Sequence, residues 1–444
     1  MKKDSFFRAV IGTAVPVGLQ SMLQSSFAMV DQLMVGQLGS TAMSAVEVAG
    51  RPAFIYSVVA GAAAAIAGIM ISQYLGGKDR ELADRSLSVS LVVTAALAAV
   101  FTGLCLLLPG QIVGIYIKDD PAVLAAGRDY LVRVAWTFLP MGLSSILAVM
   151  IRCMDRAVWP LLAGISSAMV NTALNYVLIF GRFGAPTLGV TGAAIASVVS
   201  QFVNLALMAV LFRRVRRGFR FSMDLGPGGW RKYLAMLSPI LINEFLWSVG
   251  QNVNTFIYGH LEQGGLAAMS MTGPVQGLFI GALSGVSQAA GILIGKRLGA
   301  GEYDEAYQES KRLMWYGLAG SLALSALLMA LRGPYVLLYK VEPEVRDAAG
   351  TLLLAFAVLA PVKVANMILG GGIVRSGGKT AYIMAIDLAG TWLVGAPLGL
   401  VTAFVFHLPV TWVYFILSQE ELVRLALTFV VFRRRSWMER FPAG

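Results

Sequence analysis

AGIMISQYLGGKDRELA, residues 67–83, and AGILIGKRLGAGEYDEA, residues 290–306, are one pattern written twice. Each begins as an apolar run, passes a Leu-Gly pair (Leu75–Gly76 and Leu298–Gly299), and ends in a charged stretch closed by alanine. Ala67 and Ala290 lie 223 residues apart, and the same shift superimposes much of the remaining chain without gaps. Pro16 meets Pro239, Ser25 meets Ser248, Gly36 meets Gly259 and Gly50 meets Gly273. Tyr116 meets Tyr339, Arg152 meets Arg375, and AAG at 125–127 meets AAG at 348–350. A constant register across so many turn glycines marks an internal duplication.

The chain around these copies has 444 residues, of which 57% are hydrophobic and 13% charged. That balance excludes an ordinary soluble domain and implies a polytopic membrane protein. A spanning helix needs ~20 mostly apolar residues. Twelve such stretches are read, the first six at 10–36, 44–75, 86–108, 124–151, 158–181 and 189–212. The second six are 234–260, 266–296, 310–331, 346–374, 380–406 and 409–432. Six spans per copy is an even number, so both copies insert with the same orientation, related by an axis along the membrane normal. The expected fold is therefore all-α: twelve transmembrane helices in two six-helix lobes with pseudo-two-fold symmetry. The lobes are 1–212 and 234–444, joined by the basic linker 213–233, with a cleft along the pseudo-axis suited to alternating access. In the eighth stretch Gly273, Gly277, Gly281 and Gly285 recur every four residues, a small-residue face for close helix packing.

The net charge of +11 is a topology signal. With an even number of spans both ends share one side, and that side collects Lys2, Lys3, Arg8, Lys78, Arg80, Arg85, Arg152 and Arg156. The linker adds Arg213, Arg214, Arg216, Arg217, Arg220, Arg231 and Lys232, and later loops add Lys296, Arg297, Arg375, Lys379 and Arg433–Arg435. The other side holds only Lys118, Arg128, Arg133, Arg182, Arg332, Lys340 and Arg346. This positive-inside bias places both termini in the cytoplasm and gives no reason to expect a nucleic-acid partner. The first apolar run lacks a small-residue cleavage pattern, so no cleavable signal peptide is expected. Cys105 and Cys153 fall inside spans and suggest no disulfide framework, and His260 and His407 lack companions at metal spacing. No cofactor is expected.

Polar residues inside the spans carry the functional argument. A charged side chain at mid-bilayer costs ~3 kcal/mol or more, so it faces protein or water. Gln20, Gln24 and Asp31 are spaced to share one stripe of the first helix. The repeat register puts Asn243, Trp247 and Asn254 at the matching positions of the seventh, with Glu244 and Gln251 on an adjoining stripe. Asn171 and Asn175 are one turn apart on one face of the fifth span, Asn175 lies at a depth similar to that of Asp31, and Ser197 adds a hydroxyl. Their oxygens suit a hard cation or a proton. Glu244 reads first as a protonation or substrate site and second as the ion-pair partner of Lys363, central in the tenth span, and Asp387 lies in the inner part of the eleventh. Glu47–Arg51 and Glu420–Arg424 read as local i,i+4 ion pairs. Acids exceed bases within the spans, so a cavity there favours cations. Met22, Met29, Met34, Met269, Met271, Phe27, Phe279 and Trp247 are candidate wall residues.

VDQLMVGQLG at 30–39, YLGGKDRELA at 74–83 with RLGAGEYDEA at 297–306, and RCMDRAVWP at 152–160 resemble the multidrug and toxic compound extrusion (MATE) family. NTALNYVLIFG at 171–181, GVTGAAIAS at 189–197, PILINEFLWSVG at 239–250 and RSGGKT at 375–380 extend the resemblance over nearly the whole chain. It implies a monomeric secondary antiporter of the inner membrane, exporting organic cations and drugs against inward H+ or Na+. Within it Asp31 matches a first-span acid associated with cation binding, and Asn171 an asparagine of that site. Asn175 departs from the aspartate several members carry, which leaves Asp31 the only acid of a possible Na+ site at Asp31, Asn171 and Asn175. Glu244 resembles a seventh-span acid. The rival reading within transport is a lipid or lipid-linked-saccharide flippase, whose cleft would carry more basic residues. An enzyme is not expected: HExxH and GxSxG do not occur, and GGIVRSGGKT at 371–380 follows a membrane helix rather than a strand.

Overall fold

The computed structural model describes residues 3–116, 120–261, 265–339 and 341–441. Lys2, Lys118 and Lys340, counted above in the charge distribution, lie outside them. Every regular element among the described residues is helical. The chain runs α1 (Lys3–Gly36), α2 (Ser40–Gly76), α3 (Arg80–Leu107), a short α4 (Pro109–Gly114), α5 (Pro121–Val134) and α6 (Phe138–Cys153). It continues through α7 (Val158–Phe180), α8 (Val190–Val215), α9 (Gly229–Gly259), α10 (Gly265–Gly299) and α11 (Tyr303–Val336). The last part comprises α12 (Pro343–Asn366), α13 (Thr380–Leu388), α14 (Ala396–Phe404), α15 (Val410–Leu417) and α16 (Glu420–Arg433). π-helical segments, Met367–Ile373 and Ala389–Gly395, continue α12 and α13.

Eleven helical stretches among the described residues are long and apolar enough to cross a bilayer, so this is a multi-pass all-α membrane protein. The expected twelfth, 409–432, is instead broken into α15 and α16. Ser418, Gln419, Glu420 and Glu421 make the break: four polar residues in a row divide the apolar run. The turn at the break stays hydrogen-bonded, Ser418 N to Tyr414 O at 3.0 Å and Gln419 N to Ile416 O at 3.0 Å.

The two copies of the opening pattern end their helices in the same way. Asp79 N donates to Tyr74 O and Glu302 N to Arg297 O, each at 2.9 Å. The residues one before them, Lys78 and Gly301, take left-handed φ of 63° and 78°. This left-handed stop satisfies carbonyls a helix end leaves open.

Cα packing divides the chain into two compact units, and the boundary runs through α1 and α2 as well as through the linker. One unit comprises Gln20–Ile71 and Arg80–Pro227. Its core holds Tyr56 stacked on Phe138 at 4.9 Å, and Arg216 fixes the end of α8 to α3 through two bonds to Asp84, 2.9 and 2.7 Å. Cys105 and Cys153 are buried in it and are not joined in a disulfide.

The other unit comprises Met1–Leu19, Ser72–Asp79 and Gly228–Gly444. The first half of α1 belongs here because it meets α10 backbone to backbone. A Cβ on Gly285 would collide with the Ala14 carbonyl and sit 2.8 Å from Gly18 N. Of the expected glycine face, Gly285 makes this close approach, whereas Gly273 and Gly277 face open space. Beyond α16 the segment 434–441 is strapped down. Trp437 is 0% exposed, and Gln73 donates to the carbonyls of Ser376 (2.8 Å) and Glu439 (3.1 Å) while accepting from Phe441 N at 2.9 Å. Lys379 pairs with Glu439 at 2.5 Å, and the Lys232 ammonium lies 3.4 Å from the Phe441 ring centroid.

Candidate functional site

Asp31 lies on α1 one turn and a half before Gly36, and α7 carries Asn175 at the equivalent distance from Phe180. The equal depth read from the sequence becomes a direct contact: Asn175 Nδ2 donates to Asp31 Oδ1 at 2.8 Å. A carboxylate only accepts, so the Asn171 amide must turn its nitrogen toward it, where it lies 2.9 Å from both oxygens. Asn175 is 2% exposed, and its Oδ1 is buried without a hydrogen-bond partner. Ser167 and Ser200 back the pair, with Ser167 Oγ donating to Ser200 O at 2.7 Å and Ser200 Oγ to Ser197 O at 2.9 Å.

This cluster forms part of the wall of a cavity of about 860 Å³, shared with Gln32, Glu47, Arg51, Tyr130 and Ser197. The volume falls in the range that encloses drug-sized molecules. Asp31 is its unpaired acid, because Glu47 is tied to Arg51 at 2.7 Å as expected. Tyr130, close enough to Asp31 to feel its charge, was not singled out in the sequence; nothing in its periodicity marks it. An asparagine amide presents either N–H or C=O, so the two amides can serve the carboxylate as donors or offer oxygens to a proton or cation held there.

Gln20 and Gln24 do not join Asp31. Together with Phe27 they line a separate small crevice against Gly164, and Gln20 Oε1 accepts from Arg152 at 2.8 Å. Residues on one helical stripe need not open into one chamber.

The second unit gathers a different cluster. Asn243 donates to Asp387 Oδ2 at 2.8 Å. Arg424 reaches Glu420 at 3.2 Å, Asp387 at 3.9 Å and the Thr391 hydroxyl. The Glu420–Arg424 pair is thus the local one expected, widened into a network. Glu244 is not paired with Lys363. It faces the charges of Arg375 and Asp387, while Lys363 lies beside Tyr414, because α12 packs against α15 and α16. Trp247, Gln251, Asn254 and Lys363 line a cavity of about 180 Å³ with Tyr258, Gln276, Tyr414, Glu420 and Glu421. Among the expected wall residues, Met271 and Phe279 are core and Met29 is exposed. The π-helical segments adjoin this cluster and supply Thr391; no sequence period announces them. Among the described residues no three His, Cys, Asp or Glu side chains group to hold a metal ion.

Comparison with known proteins follows the same outline. The family model MatE matches the chain twice, over residues 16–177 and 239–401, which begin 223 residues apart like the internal duplication. The chain is 25% identical to multidrug resistance protein MdtK of Edwardsiella ictaluri, covering 98% of this chain and 96% of that one. It is 28% identical to probable multidrug resistance protein NorM of Chromobacterium violaceum, covering 88% and 85%. Among solved structures it superimposes on the MATE transporter VcmN of Vibrio cholerae in its bent form, with a TM-score of 0.87 at 16% identity over 97% of each chain. A MOP superfamily transporter from Pyrococcus furiosus gives 0.86 at 17% identity over 98% of each.

Proposed function

The chain belongs to the MatE family, and from that premise we propose that it is a secondary active antiporter of the cell inner membrane. It exports organic cations and drugs against inward H+ or Na+, works as a monomer within membrane lipid, and keeps both termini in the cytoplasm. The observation that carries the proposal is Asp31: one unpaired carboxylate, ringed by two amides, on the wall of a cavity of about 860 Å³. Relatives named for multidrug resistance agree with that reading.

Coupling then follows from competition. A carboxylate that accepts either the driving ion or a cationic substrate, never both, links their opposed movements, provided the ion binds the two conformations unequally. Asn175 Oδ1, the unpartnered acceptor, is the first oxygen available to a cation or to the proton of the neutral acid. A flippase of lipid-linked saccharide would need unpaired basic groups in this cavity; its one arginine, Arg51, is neutralised by Glu47.

The test is counterflow of a cationic dye in reconstituted vesicles, with proton and sodium gradients imposed separately. Saturable dye efflux driven by one of the gradients supports the antiporter. Gradient-insensitive leak, or no dye flux under either gradient, overturns it.

A further inference from the structure

The cavity in the second unit holds charges of both signs, and one of them is uncommitted. Arg424 is engaged by Glu420, Asp387 and Thr391. Glu421 receives the Asn366 amide at 2.8 Å. Lys363 forms no ion pair among the described residues. Its ammonium lies 5.5 Å from the Tyr414 ring centroid and 6.0 Å from that of Phe356. The Tyr414 hydroxyl donates to Gln276 Oε1 at 3.4 Å, which leaves the phenolic oxygen to accept from Lys363. An ammonium has three donors, so two remain for whatever enters the cavity. A charge held this way inside a membrane protein is costly unless it is used.

We propose that this cavity receives the zwitterionic end of a transported compound, with Lys363 taking its carboxylate and Glu421 facing its ammonium. With Glu420 and Arg424 neutralising each other, a simple cation would meet the Lys363 charge and a simple anion that of Glu421; one group of each sign satisfies both walls. The volume, about 180 Å³, is below that of pockets for whole drug-sized molecules, so an end group fits and the remainder projects outward. Trp247 and Tyr258 on the same wall supply apolar faces for an aromatic body. The inference deepens the export reading and rests on it for the word transported; the binding site itself stands on the geometry.

Full-length protein in lipid nanodiscs tests it by calorimetric titration with a piperazinyl-quinolone carboxylic acid and its ethyl ester. The ester keeps the ammonium and lacks the carboxylate. Wild type should bind the acid about tenfold tighter than the ester, the size expected of one charge-assisted hydrogen bond. K363Q should bring acid and ester to equal affinity, weakening the acid and, with the Lys363 charge gone, tightening the ester, and K363R should keep most of the preference. A second variant, E421Q, should weaken acid and ester alike but not the N-acetylated acid, which has no ammonium, and it decides the question should K363Q fail to fold. Equal affinity of wild type for acid and ester, or loss of both compounds in K363Q, overturns the proposal and leaves Lys363 a packing residue. Gradient-driven flux of the ester, measured in vesicles, reports on export separately. Flux without the acid preference sinks this site alone, and the preference without flux sinks the export reading alone.

Discussion

Asp31→Asn removes one charge and almost no volume, which makes its consequences calculable. A cation seated about 4 Å from the carboxylate at an effective dielectric near 20 gains about 4 kcal/mol, so losing the charge should weaken cation binding about a thousandfold. The local structure should survive. The carboxylate now accepts from Asn175 at 2.8 Å and from the Asn171 amide at 2.9 Å, and an amide in its place still accepts through its one oxygen. Its new N–H₂ requires an acceptor, and Asn175 Oδ1 is buried, adjacent and unpartnered. The rearrangement exchanges charge-assisted bonds for neutral ones at a cost of about 1 kcal/mol, offset by relief of a desolvated charge. D31N should therefore unfold within a few degrees of wild type while titration with a cationic dye shows a loss of about three orders of magnitude. Gradient-driven dye counterflow should disappear with it. Asn175→Ala keeps the charge, removes one donor, and should cost about 1.5–3 kcal/mol, between ten- and a hundredfold. The reasoning fails if D31N binds the dye within about tenfold of wild type and still responds to an ion gradient.

Gly285→Ala should destabilise by about 1–3 kcal/mol in thermal unfolding, since backbone rather than a yielding side chain stands where the Cβ must go; Gly277→Ala, facing open space, is the neutral control. Arg424→Leu strips Glu420 and Asp387 of their common cation and should cost about 3–5 kcal/mol, partly recovered by adding Glu420→Gln. Trp437→Ala empties a fully buried site worth about 3–5 kcal/mol, enough to release residues 434–441 to carboxypeptidase while the helical body stays folded. The Glu439 carboxylate, hydrogen-bonded to Lys379, holds that ammonium above its ordinary lysine value. A raised folded value means the contribution is complete below the unfolded pKa and fades as pH rises through the folded one. Carboxypeptidase protection of the strap should thus be equal at pH near 7 and 9 and decline only above about 10.5.

What was legible in the sequence and what was not divides along a physical line. Length, hydropathy and the Leu-Gly stops are local properties, and they fixed the helices to within a few residues at most ends. Depth is nearly local too, since rise per residue is constant, and this is why the level of Asn175 against Asp31 is legible, with Asn171 one turn away on the same face. Azimuth is not local. Which way Lys363 turns depends on α15 and α16 lying against α12, and no feature of VLAPVKVANM specifies that. The strap is hidden for the same reason: RRRSWMERF reads as a polar tail until Gln73, Ser376 and Gly377 supply its groove. The break at 418–421 is written as four polar residues in a row, but within 409–432 Glu420 and Arg424 also read as an i,i+4 pair inside one continuous span.

The duplication itself shows how far such reading reaches. Gln20 lies against Gly164 in the first repeat, and the positions 223 residues on, Asn243 and Asp387, are hydrogen-bonded at 2.8 Å. Arg152 donates to Gln20, while its counterpart Arg375 faces the charges of Asp387 and Glu244. The outer pair behaves oppositely: Asp31 and Asn175 are bonded, and their counterparts are Asn254 and Leu398. The two repeats therefore place side chains at the same mutual positions but put the carboxylate at a different one of those pairs in each. A repeat register predicts which residues meet; only the side chains at each meeting decide whether it holds a charge. The two polar clusters are accordingly separate chemical sites, and a substitution at Asp387 has no reason to reproduce the effect of one at Asp31.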